Sequence, residues 1–122
     1  MNKWLFLSAI NGAAAVLLGA FAAHAMAGRF SAGAIHAFDT AAHYHLIHAV
    51  ALGLAAVSPR AGARAEWAAR LLLAGIALFS GSLYLWALTG IGWLVFVTPL
   101  GGIALVAGWL ALAAAAWKME RE

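Results

Sequence analysis

The sequence contains no cysteine and few charged residues, and each shortage excludes a class of protein. Without cysteine the chain has no disulfide framework, no thiolate metal site and no cysteine nucleophile. Charged residues make up only 9% of the 122 residues, too few to cover the surface of a soluble domain. The net charge of +3 comes from scattered basic residues and not from a patch that could neutralise phosphates, which excludes nucleic-acid binding.

The chain consists mainly of long runs of apolar residues. Hydrophobic residues make up 66% of it and the mean hydropathy is +0.95, far above an average soluble domain. A helix needs about 20 apolar residues to cross a hydrocarbon core of ~30 Å. We predict an all-α, integral membrane four-helix bundle, a single transmembrane domain over residues 1–122 with helices at about 4–27, 32–57, 67–88 and 98–117. The first run exceeds the apolar part of a secretory signal, so we expect it to be retained as a span.

Local signals set two of these boundaries. Ser31 can cap the second helix. Thr98 and Pro99 form a helix-opening pair, because a proline loses no hydrogen bond in the first turn. The fourth helix is therefore expected to start there, after an apolar interfacial loop over residues 89–97. A longer helix kinked at Pro99 is the alternative, since membrane helices tolerate proline.

The positions of lysine and arginine predict the orientation. An even number of spans places the N-terminus, the second connection and the C-terminus on one side, and these carry Lys3, Arg60, Arg64, Arg70, Lys118 and Arg121. Only Arg29 lies opposite, so the positive-inside rule puts both termini in the cytoplasm. Tryptophan agrees, with Trp4, Trp67 and Trp117 at the inner boundary and Trp86 and Trp93 at the outer one.

The polar side chains within the spans are unevenly distributed in depth. Counting ~1.5 Å per residue from the inner ends, polar groups from all four helices fall in the outer half, and His48 approaches the midplane. In the inner half of the spans, Ser8 and Asn11 are the exceptions to an apolar composition. On the second helix, Thr40, Tyr44 and His48 share a stripe with small residues and are expected to face the bundle. His36 and Asp39 are expected to meet water.

These polar groups give the candidate site, for which two interpretations stay open. They either hydrogen-bond between helices and stabilise packing, which we favour, or line an outward-opening pocket with His48 as its titrating group. The candidate residues are His24, Tyr44, His48, Ser80, Ser82, Tyr84 and Thr98. Elsewhere Ala15, Gly19 and Ala23, like Ala104 and Gly108, follow the small-xxx-small pattern of closely packed membrane helices.

Metal, haem and catalytic sites have weaker support. His24 and His48 differ in depth by roughly 15 Å, and no carboxylate lies at the level of His48. Asp39 lies well above His48, and no nucleophile elbow accompanies Ser80 or Ser82. We therefore predict no metal, no cofactor and no enzymatic activity.

Four segments in order resemble one bacterial family. They are residues 18–24 (LGAFAAH), 40–44 (TAAHY) with His48 and Ala49, 79–84 (FSGSLY), and 98–102 (TPLGG) with Gly108 and Trp109. Together they resemble the inner-membrane family known as domain of unknown function 423, which has a eukaryotic relative, transmembrane protein 256. The resemblance implies four membrane helices and no established activity. The sequence differs from the usual pattern of the family at His43 and His45, so the resemblance implies no family role for these two residues.

The sequence thus predicts a multi-pass protein of the bacterial inner, or cytoplasmic, membrane, with a non-enzymatic structural or accessory role. Its expected partners are the lipid bilayer and a homo-oligomer or larger membrane complex. The alternative is binding or transport of a small ligand, lipid or metal through a polar pocket in the outer half of the bundle.

Overall fold

The computed structural model describes residues 1–58 and 62–121, together with every side chain in those ranges except that of Arg121. These ranges form four helices: α1 (Lys3–His24), α2 (Ala32–Ala56), α3 (Gly62–Thr89) and α4 (Val97–Arg121). The chain is all-α and contains no strand in these ranges. Arg60, which contributed to the predicted orientation, lies outside the described residues.

Each helix boundary has a local cause. The side chains of Asn2 and Ser31 accept hydrogen bonds from the backbone N–H groups of Leu5 and Ala34, so they cap α1 and α2, and the Ser31 cap is the predicted one. Gly90 ends α3 in the left-handed region, with φ +72°, and donates its N–H to Trp86.

The helices differ from the predicted ranges chiefly at their polar ends. α3 begins at Gly62 instead of residue 67, and α4 runs to Arg121 instead of 117. At these ends, turns that carry charge extend the helices beyond the apolar runs. In the first turn of α3, Arg64 donates a 2.9 Å hydrogen bond to the carbonyl of Ala114, which joins the start of α3 to the C-terminal part of α4. α1 ends earlier, at His24, before Gly28 takes a φ of +79°.

The expected apolar loop before α4 is wrong, because Gly92–Phe96 forms a 3-10 helix that runs directly into α4. Backbone groups in the interface need partners, and this turn supplies them internally. Pro99 lies in the first turn of α4, where its missing N–H costs nothing.

α2 is the central helix. Ten of its 25 residues are buried, against two of the 22 in α1, and it contacts α1, α3 and α4. The other three helices are long and apolar enough to cross a membrane, α4 together with its 3-10 turn. α2 falls short of that hydropathy because it carries Asp39 and four histidines, and its burial explains how a membrane bundle accommodates some of them.

Small residues bring α4 unusually close to α3. A Cβ atom added at Gly75 would lie 2.6 Å from Cγ of Leu105, and one at Gly108 would lie 2.8 Å from Cγ of Leu72. Gly108 belongs to the predicted small-residue pattern. Glycine is therefore needed on both helices for this contact.

The interior has polar side chains between two apolar clusters. We call the end of the bundle that holds Lys3 the inner end and the opposite end the outer end. One apolar cluster, around Met26 and Phe38, lies at the outer end, and the other, around Leu52, lies toward the inner end. The buried polar residues lie between them: His45, His48, Ser80 and Ser82.

Candidate functional site

His45 joins three helices through two hydrogen bonds. Its Nε2 lies 2.9 Å from Oδ1 of Asn11 on α1, and its Nδ1 lies 2.9 Å from the Tyr84 hydroxyl on α3. The Asn11 amide nitrogen donates to the carbonyl of Leu7, so its oxygen faces His45. The Asn11 amide oxygen can only accept, so Nε2 of His45 is the donor, and in the neutral imidazole Nδ1 then accepts a hydrogen bond from the Tyr84 hydroxyl.

His48 joins α2 to α4 in the same manner. Its Nδ1 donates to the carbonyl of Tyr44 over 2.6 Å, and its Nε2 accepts the indole N–H of Trp109 over 3.0 Å. An indole N–H can only donate, so Nε2 is the unprotonated nitrogen. His48 is 5% exposed, and both of its ring nitrogens are occupied.

The serines of α3 use backbone and side-chain partners. Ser80 donates 2.8 Å to the carbonyl of Ala41 on α2, and the Ser82 and Thr98 hydroxyls hydrogen-bond each other between α3 and α4. Ser80 closes a π-helical turn, Ile76–Ser80, within α3. Such a turn changes the facing of the residues after it, so Ser80 points at α2 and Ser82 at α4.

Five predicted candidates therefore take part in side-chain hydrogen bonds between helices, and two do not. Tyr84, His48, Ser80, Ser82 and Thr98 each hydrogen-bond a different helix. His24, by contrast, is exposed at the end of α1. Tyr44 is 43% exposed, and within the described ranges its hydroxyl contacts no hydrogen-bonding group, although its ring stacks on His48 and packs against Phe79.

Three members of these contacts were missing from the sequence-based candidate set. Asn11, His45 and Trp109 are three of the five side chains in the two histidine networks. Asn11 was visible as a rare polar residue in the inner half of α1, and Trp109 lies in the middle of α4 and not at a membrane boundary, where tryptophan is usual. His45 departs from the pattern of the family, so the resemblance gives no reason to include it.

An open groove separates α2 from α4. It has a volume of about 1100 Å³. Asp39, His43 and Tyr44 line one part of it and apolar side chains most of the rest, including Phe79 and Val106. The hydrogen bonds of Ser80 and Ser82 lie beside this groove and outside its lining.

The described ranges contain no group of three or more histidine, aspartate or glutamate side chains close enough to hold a metal ion. Asp39 and His43 lie close together as a pair, with 3.7 Å between a carboxylate oxygen of Asp39 and Nδ1 of His43, and both side chains are exposed.

Comparison with known proteins gives the family. Residues 18–102 match the family model described as "Protein of unknown function (DUF423)". The UPF0382 membrane protein YwdK of Bacillus subtilis is 39% identical, with 97% of this chain and 98% of the relative aligned. A UPF0382 membrane protein of Staphylococcus aureus is 38% identical over the same shares, and the UPF0382 inner membrane protein YgdD of Escherichia coli is 38% identical over 97% and 92%. No solved structure matches. The chain is thus an integral membrane protein that belongs to the DUF423, or UPF0382, family.

Proposed function

We propose that this chain is a non-enzymatic accessory component of the bacterial inner membrane, in which the buried polar residues stabilise the packing of the four helices. One observation carries the proposal. Every buried side-chain nitrogen and oxygen in the described ranges has a hydrogen-bond partner within the chain. The inner-membrane placement is supported by the name of the Escherichia coli relative and by the basic residues at the inner end.

The pairing of the two buried histidines supports a structural role over catalysis. A general base needs an unprotonated nitrogen within reach of a substrate proton. In the neutral imidazoles the unprotonated nitrogens are Nδ1 of His45 and Nε2 of His48, and each already accepts a hydrogen bond from another helix. Each would have to give up a hydrogen bond between helices before it could act on a substrate.

The physics of membrane helices explains why such pairs matter. Lipid tails are as apolar as leucine, so apolar surface alone does not drive helices together. Close contact of small residues and hydrogen bonds between helices then determine which helices meet. Here close contact at small residues joins α3 to α4, and hydrogen bonds join α2 to each of the other helices.

The experiment compares single with combined replacements in the His45 network. Asn11→Ala leaves the buried His45 without one partner, and His45→Ala leaves the partly buried Asn11 and Tyr84 unpaired, so each is expected to lower the free energy of unfolding in detergent by about 0.6 to 1.7 kcal/mol. The triple variant Asn11→Leu, His45→Phe, Tyr84→Phe leaves no polar group there and should recover most of that loss. Stability is measured by thermal unfolding, and abundance in the membrane by quantitative blotting.

Two results would contradict the scaffold role. In one, the single replacements leave stability unchanged. In the other, native mass spectrometry finds a small molecule on the wild-type protein that the triple variant loses at unchanged stability. The second result would favour the alternative function, ligand binding.

The groove supports that second candidate function in a specific form. Its polar side chains lie mainly on the α2 wall, and the walls formed by α3 and α4 are apolar apart from the indole of Trp109. Such a lining fits a molecule with an apolar tail better than a small polar solute.

A further inference from the structure

The groove between α2 and α4 exists because both helices pack on α3 instead of on each other. Glycines hold α4 tightly against α3, and Ser80 ties α2 to the opposite side. α2 and α4 meet directly through the hydrogen bond from Trp109 to His48, near the inner end of the groove. Phe79, in the π-helical turn of α3, forms part of its wall.

The length of the groove matches one leaflet of a bilayer. Along α2 its lining extends from Asp39 to His48, and along α4 from Pro99 to Leu110. At ~1.5 Å per residue these stretches are roughly 14 and 17 Å long. Half of a hydrocarbon core of ~30 Å is about 15 Å. A lipid chain that enters at the outer end would therefore reach the Trp109–His48 contact at about the middle of the membrane.

The polarity of the lining changes along this length. At the outer end lie Asp39 and His43, both with exposed side chains, followed inward by the exposed ring of Tyr44. Farther inward the wall is formed by apolar side chains such as Ile103 and Val106, which are 67% and 59% exposed. A groove that is charged at one end and apolar along the walls of α3 and α4 matches a membrane lipid, which has a polar headgroup and an apolar acyl chain.

The charges at the outer end favour one class of headgroup. The lining contains the Asp39 carboxylate and no lysine or arginine. An ammonium group would gain an ion pair there, whereas an anionic headgroup would meet a like charge. A helix from a second copy of the chain would instead have to cover the exposed Asp39 and His43 with apolar surface, at a cost in desolvation.

We propose that the α2–α4 groove binds one phospholipid with an amine headgroup, its ammonium beside Asp39 and one acyl chain along Phe79, Ile103 and Val106. This inference rests on the ligand-binding candidate and not on the scaffold role. The bound lipid belongs to the leaflet at the outer end of the bundle.

The test uses delipidated full-length protein in mild detergent, titrated with phosphatidylethanolamine or phosphatidylglycerol of identical acyl chains and followed by native mass spectrometry. We expect one tightly retained phosphatidylethanolamine, preferred about two- to fivefold over phosphatidylglycerol, the range of an exposed ion pair. Asp39→Asn should remove the preference while retaining a bound lipid.

A second pair of variants tests the position of the acyl chain. Ile103→Trp fills the groove and should weaken lipid retention at least about tenfold. Leu17→Trp, at a site 71% exposed on α1 and outside the groove, is the matched control and should bind as wild type does. Val106→Trp repeats the block if Ile103→Trp unfolds the protein, which thermal unfolding would reveal.

Three outcomes would overturn the proposal. Equal retention of both lipids by the wild type and the groove variants would mean annular lipid only. Preference for phosphatidylglycerol would contradict the charge argument. A lipid-free dimer that Ile103→Trp dissociates would make a second copy the occupant. None of these outcomes bears on the stability of the Asn11–His45–Tyr84 network, so the scaffold role fails or stands separately.

Discussion

Replacing Gly101 with alanine should separate α3 from α4. A Cβ atom at Gly101 would lie against the backbone nitrogen of Phe79, 2.6 Å from the carbonyl carbon of Leu78 and 2.7 Å from Cα of Phe79. All three are backbone atoms within α3, so no side chain can rotate to make room. The two helices must move apart, and the hydrogen bond between Ser82 and Thr98 lies close enough to be disturbed with them.

The neighbouring glycine provides the matched control. At Gly102 an added Cβ atom would lie 3.8 Å from Cδ2 of Phe79, an ordinary van der Waals contact. Both replacements change helix propensity equally, a gain of up to about 1 kcal/mol. Gly102→Ala should therefore be neutral or mildly stabilising. Overpacking costs about 1–3 kcal/mol, and backbone overlap belongs at the upper end, so Gly101→Ala should be less stable than its neighbour by about 2–3 kcal/mol.

Both variants are purified in the same detergent, and their unfolding is followed by circular dichroism against temperature and against denaturant. For a chain of this length a difference of that size is expected to lower the Tm by several degrees. If Gly101→Ala unfolds at the same point as Gly102→Ala, the close contact between α3 and α4 is not present in the folded protein, and the reasoning fails.

Two further replacements test single contacts. Trp109→Phe keeps an aromatic ring and removes the N–H that donates to His48, so it should lower the free energy of unfolding by about 0.5–1.5 kcal/mol. The control Trp117→Phe, at a site 62% exposed, should not change it measurably. Equal effects of the two variants would refute a specific hydrogen bond. Glu66→Gln removes ion pairs of 3.8 Å with Lys3 and 3.3 Å with Arg70 at the inner end, while the new amide oxygen can still accept the hydrogen bond from the Trp4 indole. Because Lys3 and Arg70 are exposed and Glu66 is half-buried, the Tm should fall only slightly, and most of the difference should disappear in high salt. A salt-independent loss would contradict that.

The helices could be predicted from the sequence because the bilayer determines their length. Long apolar runs have few alternatives in lipid, where backbone groups must be satisfied internally. Local chemistry also located the start of α2, since Ser31 caps it. The apolar criterion was less informative at the ends, where α3 begins with the polar turn that contains Arg64, and before α4, where Gly92–Phe96 coils into a 3-10 helix.

The residue types of the candidate site and their depth in the membrane could be predicted from the sequence, but the side of the helix on which each residue lies could not. Tyr44 was assigned to the interior stripe of α2, yet its side chain is 43% exposed while the adjacent His45 is 6% exposed. Successive residues of a helix differ by about 100° in direction, so a small error in the assumed facing exchanges neighbours. The facing of Ser80 and Ser82 also depends on the π-helical turn, Ile76–Ser80, which has no sequence signature of its own.

The placement of polar residues in the middle of the bundle determines more than stability. A helix in lipid can slide or rotate against an apolar neighbour at little cost, because one leucine contact replaces another. A hydrogen bond from Nε2 of His45 to Asn11, or from Trp109 to His48, exists at only one register and one rotation. These pairs lie between two apolar clusters that by themselves specify neither. The polar residues of α2 therefore fix how α1 and α4 align, and with that alignment the width of the groove between α2 and α4.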